Sequence, residues 1–295
     1  MNDFRLTFIP PDLPGRPHWA AEHANVSPVT TDRSTSRLRH IRRLALAPLL
    51  VALLALSLVS PAAAAVRPLP VGSDVDYQLG GDRAVPTRVG VVVRDRTSYP
   101  VAGRYNVCYL NGFQTQADEA GFWKKRMGLV LKRKGRPVVD SAWGEWLLDL
   151  RTQEKRARLA RIVGVWTKGC AGRGFDAVEF DNLDSFTRSG GLLKRGQAVA
   201  YARLLVRAAH AAGLAAGQKN LSDFNGRRIG FDFAVAEECG RYRECGDYVA
   251  SYGRRVLAIE YRRADFRWTC GRFGGSLAVV LRDLDLSPRG VREWC

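Results

Sequence analysis

Apolar runs alternate with helical-period stretches from residue 89 onward. Val89–Val93, Asn106–Leu110, Trp146–Leu150, Phe175–Asp181, Leu214–Lys219, Phe231–Glu237, Val256–Tyr261 and Leu277–Leu281 are short and mostly rich in β-branched or aromatic residues, which predicts strands. Between them, Ala117–Met127, Thr152–Cys170 and Leu193–Ala212 predict helices. Leu159, Ile162, Val163 and Trp166 carry the helical spacing of the second, and Gly213 stops the third. A short helix is expected from Pro288. Eight strands with helices between most of them indicate an α/β fold, a compact (β/α)8 TIM-like barrel. A doubly wound open sheet is the alternative, but no Gly-rich phosphate turn follows the first strand. Residues 94–105 are too few for a full crossover and contain Pro100 and Gly103, so a vestigial first crossover helix is expected.

Upstream, Leu44–Val66 carries no charge. It follows Arg37, Arg39, His40, Arg42 and Arg43 and runs into Pro61 and four alanines. A basic region, an apolar core and a small-residue exit predict a secretory signal peptide cut after Ala65. A single membrane anchor is the competing interpretation, since a run of this length can span a bilayer. Residues 1–43 comprise a polar, Pro-rich leader, disordered or the product of a start placed too early, and the basic region. The expected organisation is therefore 1–43, 44–65, and a single barrel domain over 66–295, exported and monomeric.

Export bears on the six cysteines, all of which lie in 66–295. An even count in an exported chain favours disulfides, and six cysteines allow fifteen pairings. Cys239 with Cys245 is the most plausible local pair. Cys270 with Cys295 could tether the C-terminal segment, leaving Cys108 with Cys170. Metal binding is a weak alternative without a CxxC, so neither metal nor cofactor is expected.

Charge complicates the choice of partner. The chain has 46 basic and 29 acidic residues, a net charge of +17. Removing residues 1–65 takes away seven basic and four acidic residues and leaves +14. Most of the basic residues are arginine, as a GC-rich coding sequence would produce. No nucleic-acid motif, and no basic stripe interleaved with aromatics, accompanies them, so no nucleic-acid partner is expected. The run Arg151–Arg161 fits the solvated face of a helix. An apolar share of 46% excludes a disordered or collagen-like chain.

In barrels of this kind the site forms at the C-terminal strand ends. Those ends carry Asp95, Asp149 with Glu145 just before it, Glu179, Asp181, Asn182, Asp184, Lys219, Glu237, Glu238 and Glu260. Alternation puts Ala177, Glu179 and Asp181 on one face of their strand and Val178 and Phe180 on the other, so the acidic face should line the lumen. Two carboxylates across a cleft suffice for glycoside hydrolysis. Carboxylates that only cap helices or pair with arginine are the alternative for any single one of them, and Lys219 suits a buried counter-ion for Asp181 or Glu179. Tyr77, Tyr109, Phe113, Trp143, Tyr242 and Tyr261 are the aromatics available to stack on sugar rings.

Several stretches together resemble one family. DYQLGG (76–81), NVCYLNGF (106–113), GEWLLDLR (144–151), GFDAVEFDNLDSF (174–186), HAAGLAAGQKN (210–220), FDFAVAEECGRYREC (231–245) and AIEY (258–261) resemble the endo-α-1,4-polygalactosaminidase family of glycoside hydrolases, family 114, whose members are TIM-barrel enzymes. The resemblance implies a secreted endo-acting hydrolase of an α-1,4-linked galactosaminide polysaccharide. It implies Asp181 as nucleophile and Glu237 as acid/base. Asp95, Tyr109, Asp149, Glu179, Asn182, Asp184, Lys219, Glu238, Glu260 and Tyr261 are the expected substrate-binding set. The chain departs from the family at Ala236, where Asn is usual, and at Gln218–Lys219–Asn220–Leu221, which lacks a final Asp. A non-catalytic polysaccharide-binding barrel is the alternative.

Overall fold

The computed structural model describes residues 66–295. The expected leader, basic region and signal segment, 1–65, lie outside them. Among the described residues no helix is long and apolar enough to cross a membrane.

Eight parallel strands form the barrel: β1 (Asp74–Gln78), β2 (Val89–Asp95), β3 (Tyr105–Asn111), β4 (Ala177–Asp181), β5 (Ala215–Lys219), β6 (Phe233–Glu237), β7 (Val256–Glu260) and β8 (Ala278–Arg282). A ninth, β9 (Arg292–Trp294), runs antiparallel to β8, with Val280 opposite Trp294. It replaces the helix expected from Pro288. The Trp294 indole donates to the Val75 carbonyl at 2.7 Å, and Arg292 pairs with Asp76, so β9 links β8 to β1 and nearly closes the sheet.

Alternation sorts the side chains into two layers. Val75, Tyr77, Val93, Tyr105, Val107, Ala177, Ala215, Phe233, Val235, Leu257 and Val280 fill the lumen. Val178, Phe180, Ala216, Ala234, Ala236 and Ala258 face outward with the helices. Gly217 makes room in the lumen, because a Cβ there would stand 2.6 Å from the Phe233 ring.

The outer layer is supplied by α1 (Ala120–Lys124), α2 (Gln153–Arg173), α3 (Arg195–Ala211), α4 (Cys239–Tyr242), α5 (Cys245–Tyr252) and α6 (Arg263–Phe273). Thr152 caps α2 by accepting from the Lys155 amide, and Gly174, at φ +91°, ends it. The expected helix 117–127 is shorter, a 3₁₀ turn followed by α1.

Two expectations need correction. The first strand is Asp74–Gln78, which carries no apolar run. Val75 and Tyr77 point inward, whereas Asp76 and Gln78 point outward, where no helix packs. Neither residues 79–88 nor 96–104 form a helix, so the missing helix over 94–105 is accompanied by a second. In place of helices, Gln78 bonds Asp76 and Arg94, and Arg83 reaches the carbonyls of Pro288 and Gly290. The second correction concerns Trp146–Leu150. It is no barrel strand. Glu145–Trp146 pairs with Val139–Asp140 in a hairpin inside the long β3–β4 crossover, beside a second such pairing of Lys132–Arg133 with Arg136–Pro137. Leu147 and Leu148 continue as isolated bridges to Gln114 and Val130. The apolar run is buried beneath that excursion, which gives it the composition of a core strand.

Three disulfides tie down the helices. Cys108 on β3 bonds Cys170 on α2, Cys239 bonds Cys245 at the starts of α4 and α5, and Cys270 on α6 bonds Cys295 after β9.

Candidate active site

The C-terminal ends of the strands surround a cavity of about 500 Å³. Its floor is built around one amine. Lys219, the last residue of β5, is 2% exposed. Its Nζ lies 3.0 Å from Glu179 Oε1, 3.1 Å from Asp181 Oδ1, 3.1 Å from Glu237 Oε2 and 3.1 Å from the Tyr77 hydroxyl. These groups come from β1, β4, β5 and β6, each at or near a strand end. Register brings them level, with Glu179 opposite Tyr109 on one side and Gly217 on the other.

Each carboxylate has a second support. Tyr109 donates to Asp181 Oδ2 at 2.6 Å, and the Asn182 amide N–H donates to Asp181 Oδ1 at 2.7 Å. Tyr77 donates to Glu179 at 2.7 Å. The Tyr261 hydroxyl donates to Glu237 Oε1, and the Glu237 amide donates to Asn220 Oδ1 at 3.0 Å. Asn182, Asn220 and Glu238, the residues next after β4, β5 and β6, take φ values of +68°, +50° and +56°. All three lie in a sparsely populated region for non-glycine residues, and Asn182 and Asn220 line the cavity.

Electrostatics divides the acids. Burial by itself would raise the pKa of Asp181. Lys219, the Tyr109 hydroxyl and the Asn182 amide outweigh it and hold the carboxyl below its usual value. Glu179 lies fully buried beneath, and burial pushes it up to about 7 in spite of Lys219. Burial disfavours the Lys219 charge, but Asp181, Glu179 and Glu237 more than offset this and raise its pKa well above the usual value. The amine therefore stays charged and Asp181 stays ionised at neutral pH.

The cavity wall contains Asp95, Tyr109, Asp181, Asn182, Asp184, Lys219, Glu237 and Tyr261 from the expected set. Glu179 lies one layer deeper. Three others lie elsewhere. Asp149 sits at the end of the excursion, fully buried, in ion pairs with Arg151 and Lys155. Glu260 points outward under α4, accepting from the Gly240 amide at 2.7 Å and from Thr269 at 3.0 Å. Glu238 turns from the strand direction and pairs with Arg241 at 2.7 Å. Ala236 alternates with Glu237 and faces the helices, so the departure from the family at that position is in the outer layer.

The hairpin adds Asp140, Trp143 and Glu145 to the wall. Glu145, expected beside Asp149 at a strand end, stands in the hairpin instead, opposite Asp140. Burial raises the Glu145 pKa to about 7, against a hydrogen bond from Asn111. Arg188 bridges Asp140 and Asp184, at 2.6 and 2.9 Å. Seven carboxylates thus line the cavity against two cations, Arg188 and Lys219, in a chain that is basic overall.

Comparisons with solved structures support the fold. Ega3 of Aspergillus fumigatus, solved in complex with galactosamine, is 20% identical and superposes with a TM-score of 0.65, over 78% of this chain and 98% of that one. The glycoside hydrolase domain of PelA from Pseudomonas aeruginosa is 16% identical, with a TM-score of 0.53 over 75% of this chain and 98% of that one. No curated protein matches in sequence. The profile of glycoside-hydrolase family GH114 matches residues 57–295, and the chain, a TIM-barrel glycoside hydrolase, belongs to that family.

Proposed function

We propose that the protein is a secreted endo-acting hydrolase of α-1,4-linked, galactosamine-containing polysaccharide, with Asp181 as nucleophile and Glu237 as acid/base. The observation that carries this is the bridge at Lys219. Two oxygens each 3.1 Å from one nitrogen can stand no further apart than twice that distance, about 6 Å, close to the spacing of a retaining pair. Asp181, held ionised, attacks the anomeric carbon as its bond to the glycosidic oxygen breaks. Glu237 gives its proton to that oxygen. A water then adds to the anomeric carbon, Glu237 takes a proton from it, and the Asp181 ester breaks. Before the acid step Glu237 has to leave Lys219 and take up a proton from solvent, since a carboxylate held by an ammonium cannot donate.

The seven-to-two excess of acids in the cavity favours a cationic sugar chain. The net +14 of residues 66–295 repels such a chain at distance, so the cavity has to act within a Debye length of about 8 Å. The disulfides and the apolar segment at 44–65 support export.

The test is a digest. The protein and its Asp181→Asn variant are incubated with acetylated and deacetylated α-1,4-galactosaminide chains, and products are read by mass spectrometry. Shorter oligomers from the parent alone are expected. Binding without release by either protein would favour a non-catalytic barrel.

A further inference from the structure

Glu260 sits behind the acid/base rather than beside it. It is the last residue of β7, fully buried, and its side chain points away from the cavity. Its Oε1 accepts from the Gly240 amide of α4 at 2.7 Å and from the Thr269 hydroxyl of α6 at 3.0 Å. Cys239 Sγ, bonded to Cys245 at the start of α5, lies 3.8 Å from the same oxygen. Oε2, equally buried, has no partner among the described residues. The packing is close, since a Cβ on Gly240 would stand 2.1 Å from Thr269 Oγ1 and 2.7 Å from Glu260 Oε1.

Two segments that hold Glu237 meet at this carboxylate. Helix α4 begins two residues after Glu237, across Glu238 at φ +56°. A non-glycine residue keeps such a conformation only where its surroundings over-determine it. Tyr261, whose hydroxyl donates to Glu237 Oε1, is the residue next after Glu260. Glu237 stands opposite Ile259 in the pairing of β6 with β7, and the Glu238 amide donates to the Ile259 carbonyl at 2.8 Å. Glu260 therefore joins the turn that follows Glu237, the strand end that presents Tyr261, and α6.

We propose that Glu260 is a positioning residue for the reaction: its Oε1 clamps α4 and α6 to the end of β7 and so aims the Glu237 carboxyl, held by Tyr261, at the glycosidic oxygen. This rests on the acid/base function proposed above for Glu237. A shift of about 1 Å in a reacting group can cost on the order of 10²-fold in rate. Glu260→Gln keeps an acceptor of the same shape and so keeps the clamp, whereas Glu260→Leu removes it. A clamp that acts through the acid matters only where the leaving group needs a proton.

The experiment measures kcat and KM for the full chain and three variants, Glu260→Leu, Glu260→Gln and Thr269→Val, on two substrates. One is an α-1,4-galactosaminide chain, whose leaving hydroxyl needs a proton. The other is a dinitrophenyl glycoside of an α-1,4-galactosamine oligomer, whose leaving phenolate does not. On the chain, Glu260→Leu should lower kcat roughly tenfold or more, with KM within about twofold of the parent. On the dinitrophenyl glycoside its kcat/KM, which reports the bond-breaking step, should stay within about threefold of the parent. Glu260→Gln should match the parent on both substrates. Thr269→Val removes one of the two donors and should show the Leu pattern at a smaller size, about threefold on the chain. An equal fall on both substrates, a change in KM alone, a Gln variant as slow as the Leu variant, or Leu and Val variants as fast as the parent overturns the inference. Where Glu260→Leu does not fold, Thr269→Val and Glu260→Gln decide by the same criteria. A parent that cleaves the chain keeps the hydrolase function standing in all of these cases. A parent that cleaves neither substrate overturns that function, and this inference with it.

Discussion

The Tyr109 hydroxyl and Asp181 Oδ2 stand 2.6 Å apart, on neighbouring strands in register. That bond favours the ionised form of Asp181, and it comes from a residue whose ring is packed in the lumen. Tyr109→Phe keeps the ring and removes the bond. A hydrogen bond to a charged group contributes about 1.5–3 kcal/mol, so roughly a tenfold or greater fall in kcat/KM is expected. The Asp181 pKa should rise, moving the acidic limb of the pH–rate profile to higher pH. An unchanged limb would show that Tyr109 does not tune Asp181.

Lys219 is the shared counter-ion of three carboxylates. Replacing it by Met leaves Glu179 buried without a cation. Breaking a buried pair in this way costs about 3–5 kcal/mol, which for a domain of this size lowers the melting temperature by on the order of 10 °C. Activity should fall roughly 10²–10³-fold, as for loss of a preorganised charge. Adding Glu179→Gln should restore much of the stability and none of the activity. Thermal melts of the single and double variants make the comparison.

Glu179 also links stability to pH. Its carboxyl titrates at about 7 in the fold against an ordinary value of 4.5. Between those values the folded protein holds a proton that the unfolded chain has released, so stability falls as pH rises through that window. Glu145, also raised to about 7, acts in the same direction. Asp181, held low, acts oppositely and only in more acidic solution, where its protonation removes stability. Glu179→Gln should flatten the decline between pH 4.5 and 7, read from denaturant midpoints at several pH values. An unchanged slope would place the titration elsewhere.

The disulfides should differ in effect according to the chain they close. Cys108–Cys170 spans 62 residues and Cys239–Cys245 spans six. On loop entropy alone, removal of the first costs about 4 kcal/mol and of the second about 2 kcal/mol. Paired Cys→Ala variants in a chemical denaturation series test that order.

Seven of the barrel's eight strands were legible because they are apolar runs between helical segments. Asp74–Gln78 was not, because half of its residues face outward to arginines instead of a helix, and strict alternation over five residues is a faint pattern. Trp146–Leu150 misled for the converse reason, being a buried segment outside the sheet. Inward alternation located Glu179 and Asp181 correctly. Trp143 and Glu145 were on view as a candidate aromatic and a strand-end acid, but the element that carries them was not, since Glu145 lies in a hairpin and no periodicity encodes its turn. Asp149 and Glu260 show the opposite case, in which acids near apolar runs are committed to Lys155 and Arg151, and to Thr269 and a backbone amide.

Strand β9 gives the barrel its longest-range closure. The indole of Trp294 reaches the Val75 carbonyl across 219 positions of sequence, and Cys295 is anchored to α6. Contacts between such distant segments are slow to form, because the intervening loop must be closed before they repay the entropy. The chain therefore cannot seal its cylinder as it emerges residue by residue. An open sheet with an unpaired edge at β1 must persist until residues 292–294 arrive, and that interval is when the protein is most exposed to pairing with a neighbour instead of with itself.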